Sequence, residues 1–331
     1  MYKILVTGFS GFVSKHLLDH LDGRGMKSEV LGIDLNCPEY PYDHLEQLAV
    51  KFEKVDLLNF VKLRNAIHYF QPNHIIHLAS YSSVGLSWKN PSLSFKNNMN
   101  IFLNLMEAVR ELNLKCRVLS VGSSEEYGNV NEDKLPLGEE CPLDPVSPYA
   151  VARVAQEQLS KVYCDGYGLD VVMTRSFNHI GVGQKEIFVI ASFVKQLVEI
   201  KKGIKKERKL VVGDISIVRD FLDVRDVVDA YLRLLIHGEK GQVYNVCSGE
   251  GVSLREVIDI ICGILGMRVE IEVDPSRVRP SDNKVIVGSN EKLKRTMGWN
   301  PKISLEESLK DIINYWSIAE TGSLENGPHC A

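Results

Sequence analysis

The residues with the clearest chemical potential lie in Ser147–Glu157, SPYAVARVAQE, where Tyr149 and Arg153 stand four positions apart at the start of a helical pattern. At that spacing both side chains leave the same helix face, so a phenol and a permanent cation lie side by side. A phenol can give or take a proton, and a neighbouring cation favours its ionised form, the requirement for general acid/base work. A second reactive group precedes it in GSSEEYG, Gly122–Gly128. There Ser123 offers a hydroxyl that can hydrogen-bond a carbonyl oxygen, and Glu125 offers a carboxylate. A Tyr-x-x-x-Arg pair also describes many ordinary surface helices. The elements that would position it therefore have to decide.

Those elements begin at the first residues. Tyr2–Thr7, YKILVT, is an apolar run of the kind buried on both faces of a parallel sheet, and it enters Gly8-Phe-Ser-Gly11-Phe12-Val13-Ser14 directly. Val13, Leu17, Leu18 and Leu21 then recur with helical period. Strand, glycine turn and helix in that order make a phosphate cradle: the glycines allow a tight turn and close backbone approach, and the helix N-terminus favours an anion. Ser14 takes the place where a third glycine or alanine is usual. A second strand, 29–33, ends at Asp34, whose carboxylate can accept from both adenine-ribose hydroxyls of NAD and would repel the 2′-phosphate of NADP. NAD(H) is thus favoured, with NADP(H) the alternative. A third strand, 51–55, leads to Asp56 and Leu57, at the expected adenine edge. A helix over 58–69 and a fourth strand, 74–78, bring Leu78, Ala79 and Ser80 to the cofactor crevice, while His77 reads as a core histidine. A helix over 94–112 and a strand over 118–121 complete the approach to Ser123. Pro142, Pro145 and Pro148 stiffen the entry to the Tyr149 helix, predicted to run to Tyr163. Regular alternation of strands and helices predicts an α/β fold with a doubly wound parallel sheet.

After a sixth strand, 170–175, the alternation loosens, as expected of a smaller lobe assembled from separated segments. Asn178 follows that strand, Arg219 is a candidate to grip an anionic ligand, and Arg225 is expected to pair with a nearby acid. Ser253 with Glu256 predicts a capping box opening a helix over 254–265. Arg279-Pro280-Ser281-Asp282 carries a guanidinium suited to phosphate. An amphipathic pattern over 292–315 precedes the tail. The expected division is a dinucleotide-binding domain over 1–175, to which 210–248 contributes, a substrate lobe over 176–320, and a mobile tail over 321–331. The 331 residues carry 25% charged and 44% hydrophobic side chains and a net charge of -4, which points away from nucleic acid. No stretch approaches the roughly 20 apolar residues of a membrane helix and no signal peptide is evident, so the expected location is cytoplasmic. The seven cysteines lack C-x-x-C spacing and are read as reduced thiols, with no metal site.

Taken together, the glycine turn, Asp34, Asp56-Leu57, His77-Leu-Ala, GSSEEYG, SPYAVARVAQE, RSFNHIG (175–181), VRDFLDVRDVV (218–228), VYNVCSG (243–249) and RPSD (279–282) resemble the extended short-chain dehydrogenase/reductases acting on nucleotide sugars. Within that group the chain looks most like the GDP-6-deoxy-4-keto-D-mannose reductases, with the GDP-mannose 4,6-dehydratases next. The resemblance implies a Rossmann-type sheet with a smaller C-terminal α/β substrate-binding lobe. It also implies cofactor contacts from Gly8, Gly11, Phe12, Val13, Asp34, Asp56, Leu57, Leu78, Ala79, Ser80, Tyr149 and Arg153. Ser123, Tyr149 and Arg153 would be catalytic, with Arg153 standing where the family usually has lysine. Ser123, Glu125, Asn178, Arg219 and Arg279–Asp282 would surround a GDP-sugar. Reduction of a 4-keto group and a homodimer joined through a four-helix interface are further implications. Glu125 occupies the place of the dehydratase base, whereas Gly11-Phe12-Val13 looks reductase-like. A non-catalytic dinucleotide or sugar-nucleotide binding module is the alternative from another class, with Arg153 as its sign.

Overall fold

The computed structural model describes residues 1–278 and 283–319. Arg279, Pro280, Ser281, Asp282 and the 321–331 tail lie outside the described residues. The chain opens with β1 (Tyr2–Thr7), α1 (Phe12–Gly23), β2 (Ser28–Asp34), β3 (Leu48–Lys54), α2 (Phe60–Phe70) and β4 (His74–His77). It continues through α3 (Val84–Lys89), α4 (Pro91–Glu111), β5 (Arg117–Ser123), α5 (Pro148–Tyr167) and β6 (Asp170–Ser176). Then come β7 (Asn178–Ile180), α6 (Val189–Lys201), β8 (Lys209–Val212), β9 (Val218–Asp223), α7 (Val224–His237) and β10 (Val243–Val246). The last described elements are β11 (Gly251–Ser253), α8 (Leu254–Leu265), β12 (Glu270–Val273), β13 (Val285–Ile286), α9 (Glu291–Met297) and α10 (Leu305–Ala319).

Seven strands form one sheet in the order β10-β6-β5-β4-β1-β2-β3, every neighbouring pair parallel. Helices cover both faces, and the period of two along a strand divides the apolar run between them. Ile4 and Val6 of β1 pack with Leu17, Leu18 and Leu21 of α1 and Val227 and Leu234 of α7. Leu5 points the other way, into the layer of Leu63, Phe102, Leu105 and Tyr163 from α2, α4 and α5. The fold is the doubly wound, Rossmann-type arrangement that the alternation predicts. A separate apolar core gathers Phe193, Leu197, Val257, Ile261 and Ile312 from α6, α8 and α10. It adjoins the small sheets β11-β9-β13, with β7 paired to β9, and β12-β8.

The chain order reverses between β1 and β4, so their C-terminal ends diverge into a crevice, the position at which open α/β sheets bind ligands. The amphipathic pattern over 292–315 does not form one helix. Gly298 adopts φ +60° at the end of α9 and Pro301 follows, while Asp226 Oδ2 accepts from the backbone N–H groups of Lys302 and Ile303. Trp299 is buried in that break, its indole nitrogen donating to the Asp226 carbonyl. The capping box of Ser253 and Glu256 forms as expected.

Candidate active site

The floor of the crevice is the Gly8–Gly11 turn. Gly8 adopts φ +74°, and a Cβ there would lie 2.7 Å from the Ala79 backbone nitrogen. Only glycine combines that conformation with that approach, so the turn packs directly against the chain after β4. Ser14 Oγ closes the turn by donating to the Gly8 carbonyl at 3.0 Å. Asp34 ends β2 with Oδ2 accepting from both the backbone N–H and the hydroxyl of Ser10, at 2.9 and 2.8 Å, and Oδ1 accepting from the Asn36 N–H. These bonds aim the carboxylate across the glycine turn and leave lone pairs for ribose hydroxyls. Asp56 and Leu57 follow β3 on the same rim, Asp56 exposed and Leu57 buried. Across the crevice, Asn98 Oδ1 accepts from Ser80 Oγ and the Tyr81 N–H, fixing the chain after Leu78 and Ala79.

His77 is a core residue. Its Nδ1 lies 2.8 Å from Thr7 Oγ1, and burial, followed by the nearby Arg153 cation, lowers its pKa to about 3. It is neutral throughout the working range and adds no charge to the crevice.

Ser123 closes β5, where its backbone N–H donates to Glu126 Oε1 at 2.7 Å and its Oγ accepts from the Glu125 N–H at 3.3 Å. Because Oγ is already an acceptor, its own proton is free to be aimed at a carbonyl oxygen. Tyr149 sits in the first turn of α5, whose start is set by Pro148 and by Ser147 Oγ accepting from the Ala150 N–H at 3.1 Å. The Arg153 guanidinium carbon stands 5.1 Å from the Tyr149 ring centroid, a cation–π distance. Arg153 Nη1 donates to the Val121 carbonyl, two residues before Ser123, at 3.1 Å, and to Gln156 Oε1 at 2.6 Å. The cation, the phenol and the end of β5 are thus brought together.

Behind Ser123 lies a buried charged layer. Arg175 grips Glu157 in bidentate fashion, with N–O distances of 2.8 and 3.0 Å, and Lys161 adds a third bond. Glu126 is fully buried; burial and then the Glu157 carboxylate push its pKa up to about 8, against the pull of the Ser123 N–H and Arg175. Burial opposes ionisation of Glu157 too, yet Arg175 and Lys161 hold its pKa below the usual value.

The crevice fits a dinucleotide. The glycine turn lies against the chain after β4, Asp34 supplies an acceptor for ribose, and the buried Nε of Arg153 has no acceptor from the described protein. Against this geometry, the model of one protein family, described as GDP-mannose 4,6 dehydratase, matches residues 5–312. The chain belongs to that family. Among curated members, GDP-6-deoxy-D-mannose reductase of Pseudomonas aeruginosa is 38% identical over 314 residues, 95% of this chain and 97% of the relative. Among solved structures, RMD from Pseudomonas aeruginosa complexed with NADPH superposes with a TM-score of 0.84 at 36% identity, covering 96% of this chain and all of that one. The UDP-glucose 4-epimerase of Thermus thermophilus complexed with NAD gives 0.82 at 31% identity, covering 97% and 99%. A reductase and an epimerase therefore share this architecture.

The remaining predicted residues are less uniformly disposed. Phe12 and Val13 begin α1 at the crevice, Phe12 stacking on His179 at 5.8 Å, and Asn178 is exposed at the start of β7. Glu125 is half-buried in the turn after Ser123. Arg219 is buried, its Nη1 donating to the Val218 and Asn283 carbonyls, which ties it to the chain beside 279–282. Arg225 pairs with Asp223 and Asp311 as expected of a scaffold arginine. Sequence reasoning overlooked Ser10, Asn98, Glu126 and Gln156. For Gln156 a signal existed: it follows Arg153 at i+3 on the same helical stripe.

Proposed function

We propose that the chain reduces the 4-keto group of a GDP-6-deoxy-4-keto-hexose, converting GDP-4-keto-6-deoxy-D-mannose to GDP-D-rhamnose at the expense of NAD(P)H. The observation that carries this reading is the union of Ser123, Tyr149 and Arg153 at the end of β5 beside the dinucleotide crevice. The 38% identity to a GDP-6-deoxy-D-mannose reductase over nearly the whole chain supports the choice of substrate.

Reduced nicotinamide, when bound, supplies hydride to the ketone carbon. Ser123 Oγ–H holds the ketone oxygen, Tyr149 O–H passes its proton to that oxygen as it becomes an alkoxide, and Arg153 stabilises the phenolate left behind. One hydride and one proton turn C=O into CH–OH, and the phenolate regains its proton from solvent. Asp34 supports NAD(H) as the preferred cofactor, whereas the NADPH complex of the 36%-identical structure supports NADP(H) as the alternative. Asn178, Arg219 and the 279–282 segment are assigned to the GDP-sugar, residues 1–175 with 210–248 to the cofactor domain, and 176–320 to the substrate lobe.

Exposed Phe95 and Leu103 on α4 and Val151 and Val162 on α5 support a homodimer through a four-helix interface. A cytoplasmic location goes with this reading. Among the described residues, no helix is long and apolar enough to cross a membrane.

Glu125 and the family match favour one second reading, a 4,6-dehydratase. The two separate on GDP-mannose without added reductant. A dehydratase recycles its hydride and accumulates the 4-keto sugar; the proposed reductase leaves GDP-mannose unchanged.

A further inference from the structure

Tyr149, Arg153, Gln156 and Ser160 follow one another at intervals of four, three and four residues, a single stripe along α5. The stripe is buried throughout: Arg153 is 4%, Gln156 1% and Ser160 0% exposed, and Ser120 of β5 beneath them is 2% exposed. Polar side chains sealed between a helix and a sheet are costly unless each is bonded. Gln156 is the hub. Its Oε1 accepts from Arg153 Nη1 at 2.6 Å, and its Nε2 donates to Ser120 Oγ at 2.9 Å and to the Val121 carbonyl at 3.1 Å. Ser160 Oγ lies 3.2 Å from Ser120 Oγ and 2.9 Å from the Gln156 carbonyl oxygen.

These partners allow only one amide orientation. Turning it over would set NH2 against the guanidinium, donor to donor, and C=O against the Val121 carbonyl, acceptor to acceptor. The acceptor edge is therefore locked toward Arg153. With Nη1 held by Gln156 and Val121, the guanidinium face lies over the Tyr149 ring, and its Nε–H edge has no acceptor from the described protein.

We propose that Gln156, braced by Ser120 and Ser160, is a positioning residue that fixes Arg153 against Tyr149 beside the bound dinucleotide. The inference rests on the cofactor-dependent reading above. Its consequence is that Arg153 works only as part of a pair, so residue 156 should matter when residue 153 is arginine and lose its influence when it is lysine.

The test is a double-mutant cycle of Gln156→Leu and Arg153→Lys, reading by titration calorimetry the dissociation constant of whichever reduced cofactor, NADH or NADPH, wild type binds more tightly, together with kcat and KM on the 4-keto sugar nucleotide and thermal unfolding. Gln156→Leu should weaken that cofactor about tenfold and lower kcat comparably, with sugar-nucleotide KM within about twofold; in the Arg153→Lys background its effect should fall below about twofold. Gln156→Asn, which keeps both amide edges but is one methylene too short to span from Val121 to Arg153, should weaken the cofactor at least about threefold. Equal Gln156→Leu effects in both backgrounds, or none in a folded protein, would overturn the proposal. If Gln156→Leu does not fold, a folded Gln156→Asn that binds the cofactor as tightly as wild type overturns it equally. Wild-type protein that binds the cofactor but leaves the keto sugar untouched defeats the reductase reading alone, since the binding cycle still reports on Gln156.

Discussion

In the proposed reduction, Tyr149 is the proton donor and Arg153 the cation that stabilises its conjugate base. Tyr149→Phe keeps the ring beneath Arg153 but removes the proton, so kcat should fall about 10²- to 10⁴-fold with reduced-cofactor affinity near wild type. Steady-state kinetics beside a binding titration check this, and a kcat within a few-fold of wild type would remove Tyr149 from the mechanism. Glu126 sets a second expectation. Its folded pKa, about 8, lies above that of an exposed carboxylate, so between those values the folded state holds the extra proton. Its contribution to stability is therefore present at low pH and is lost as pH rises toward the folded pKa. Glu126→Gln preserves an acceptor for the Ser123 N–H and cannot ionise. From about pH 5 to about pH 8 the wild type should lose on the order of 1 kcal/mol per pH unit relative to Glu126→Gln in denaturant unfolding. Parallel curves for the two proteins would show that Glu126 ionises as readily folded as unfolded.

At the scale of elements, the start of α5 determines where Tyr149 points. Ser147→Ala removes the acceptor for the Ala150 N–H and should cost about 1 kcal/mol in urea unfolding, with kcat falling as the first turn frays. Stability and kcat both unchanged would show that Pro148 and packing fix the turn unaided. How far these elements could be read from sequence depended on punctuation. β1, the Gly8 turn and α1 were legible because an unbroken apolar run, glycines and a helical period follow one another without ambiguity. The helix α8 was legible to the residue because Ser253 and Glu256 cap it. By contrast β9 passes into α7 with Asp223 serving both as the last strand residue and as the N-cap, so no turn residue marked the change. The 292–315 pattern kept its period across a break marked locally by Gly298 and Pro301 and held from a distance by Asp226, which bonds Lys302 and Ile303. At the proposed site, Tyr149, Arg153 and Ser123 stood out by their own chemistry, and the structure brings Arg153 to both the Tyr149 ring and the end of β5. Glu126 did not stand out, because its role arises from β5 and β6 packing against α5, and Gln156 showed only in its i+3 place after Arg153.

Two apolar layers flank the seven-stranded sheet, and the α6, α8 and α10 cluster forms a separate core beside the small sheets. The exposed apolar residues of α4 and α5 lie on the outside of the cofactor half. Light scattering should give twice the chain mass, and Val162→Glu, which places a charge in the proposed interface, should shift the protein toward monomer. A wild-type monomer at micromolar concentration would remove the four-helix interface. The central claim is reduction of a 4-keto sugar nucleotide, and it is tested most directly by following cofactor absorbance. Purified protein given NADH or NADPH with GDP-4-keto-6-deoxy-D-mannose should oxidise one cofactor per sugar converted, with GDP-D-rhamnose as the product by NMR. Cofactor oxidation no faster than the protein-free background, with the keto sugar recovered intact, would contradict it.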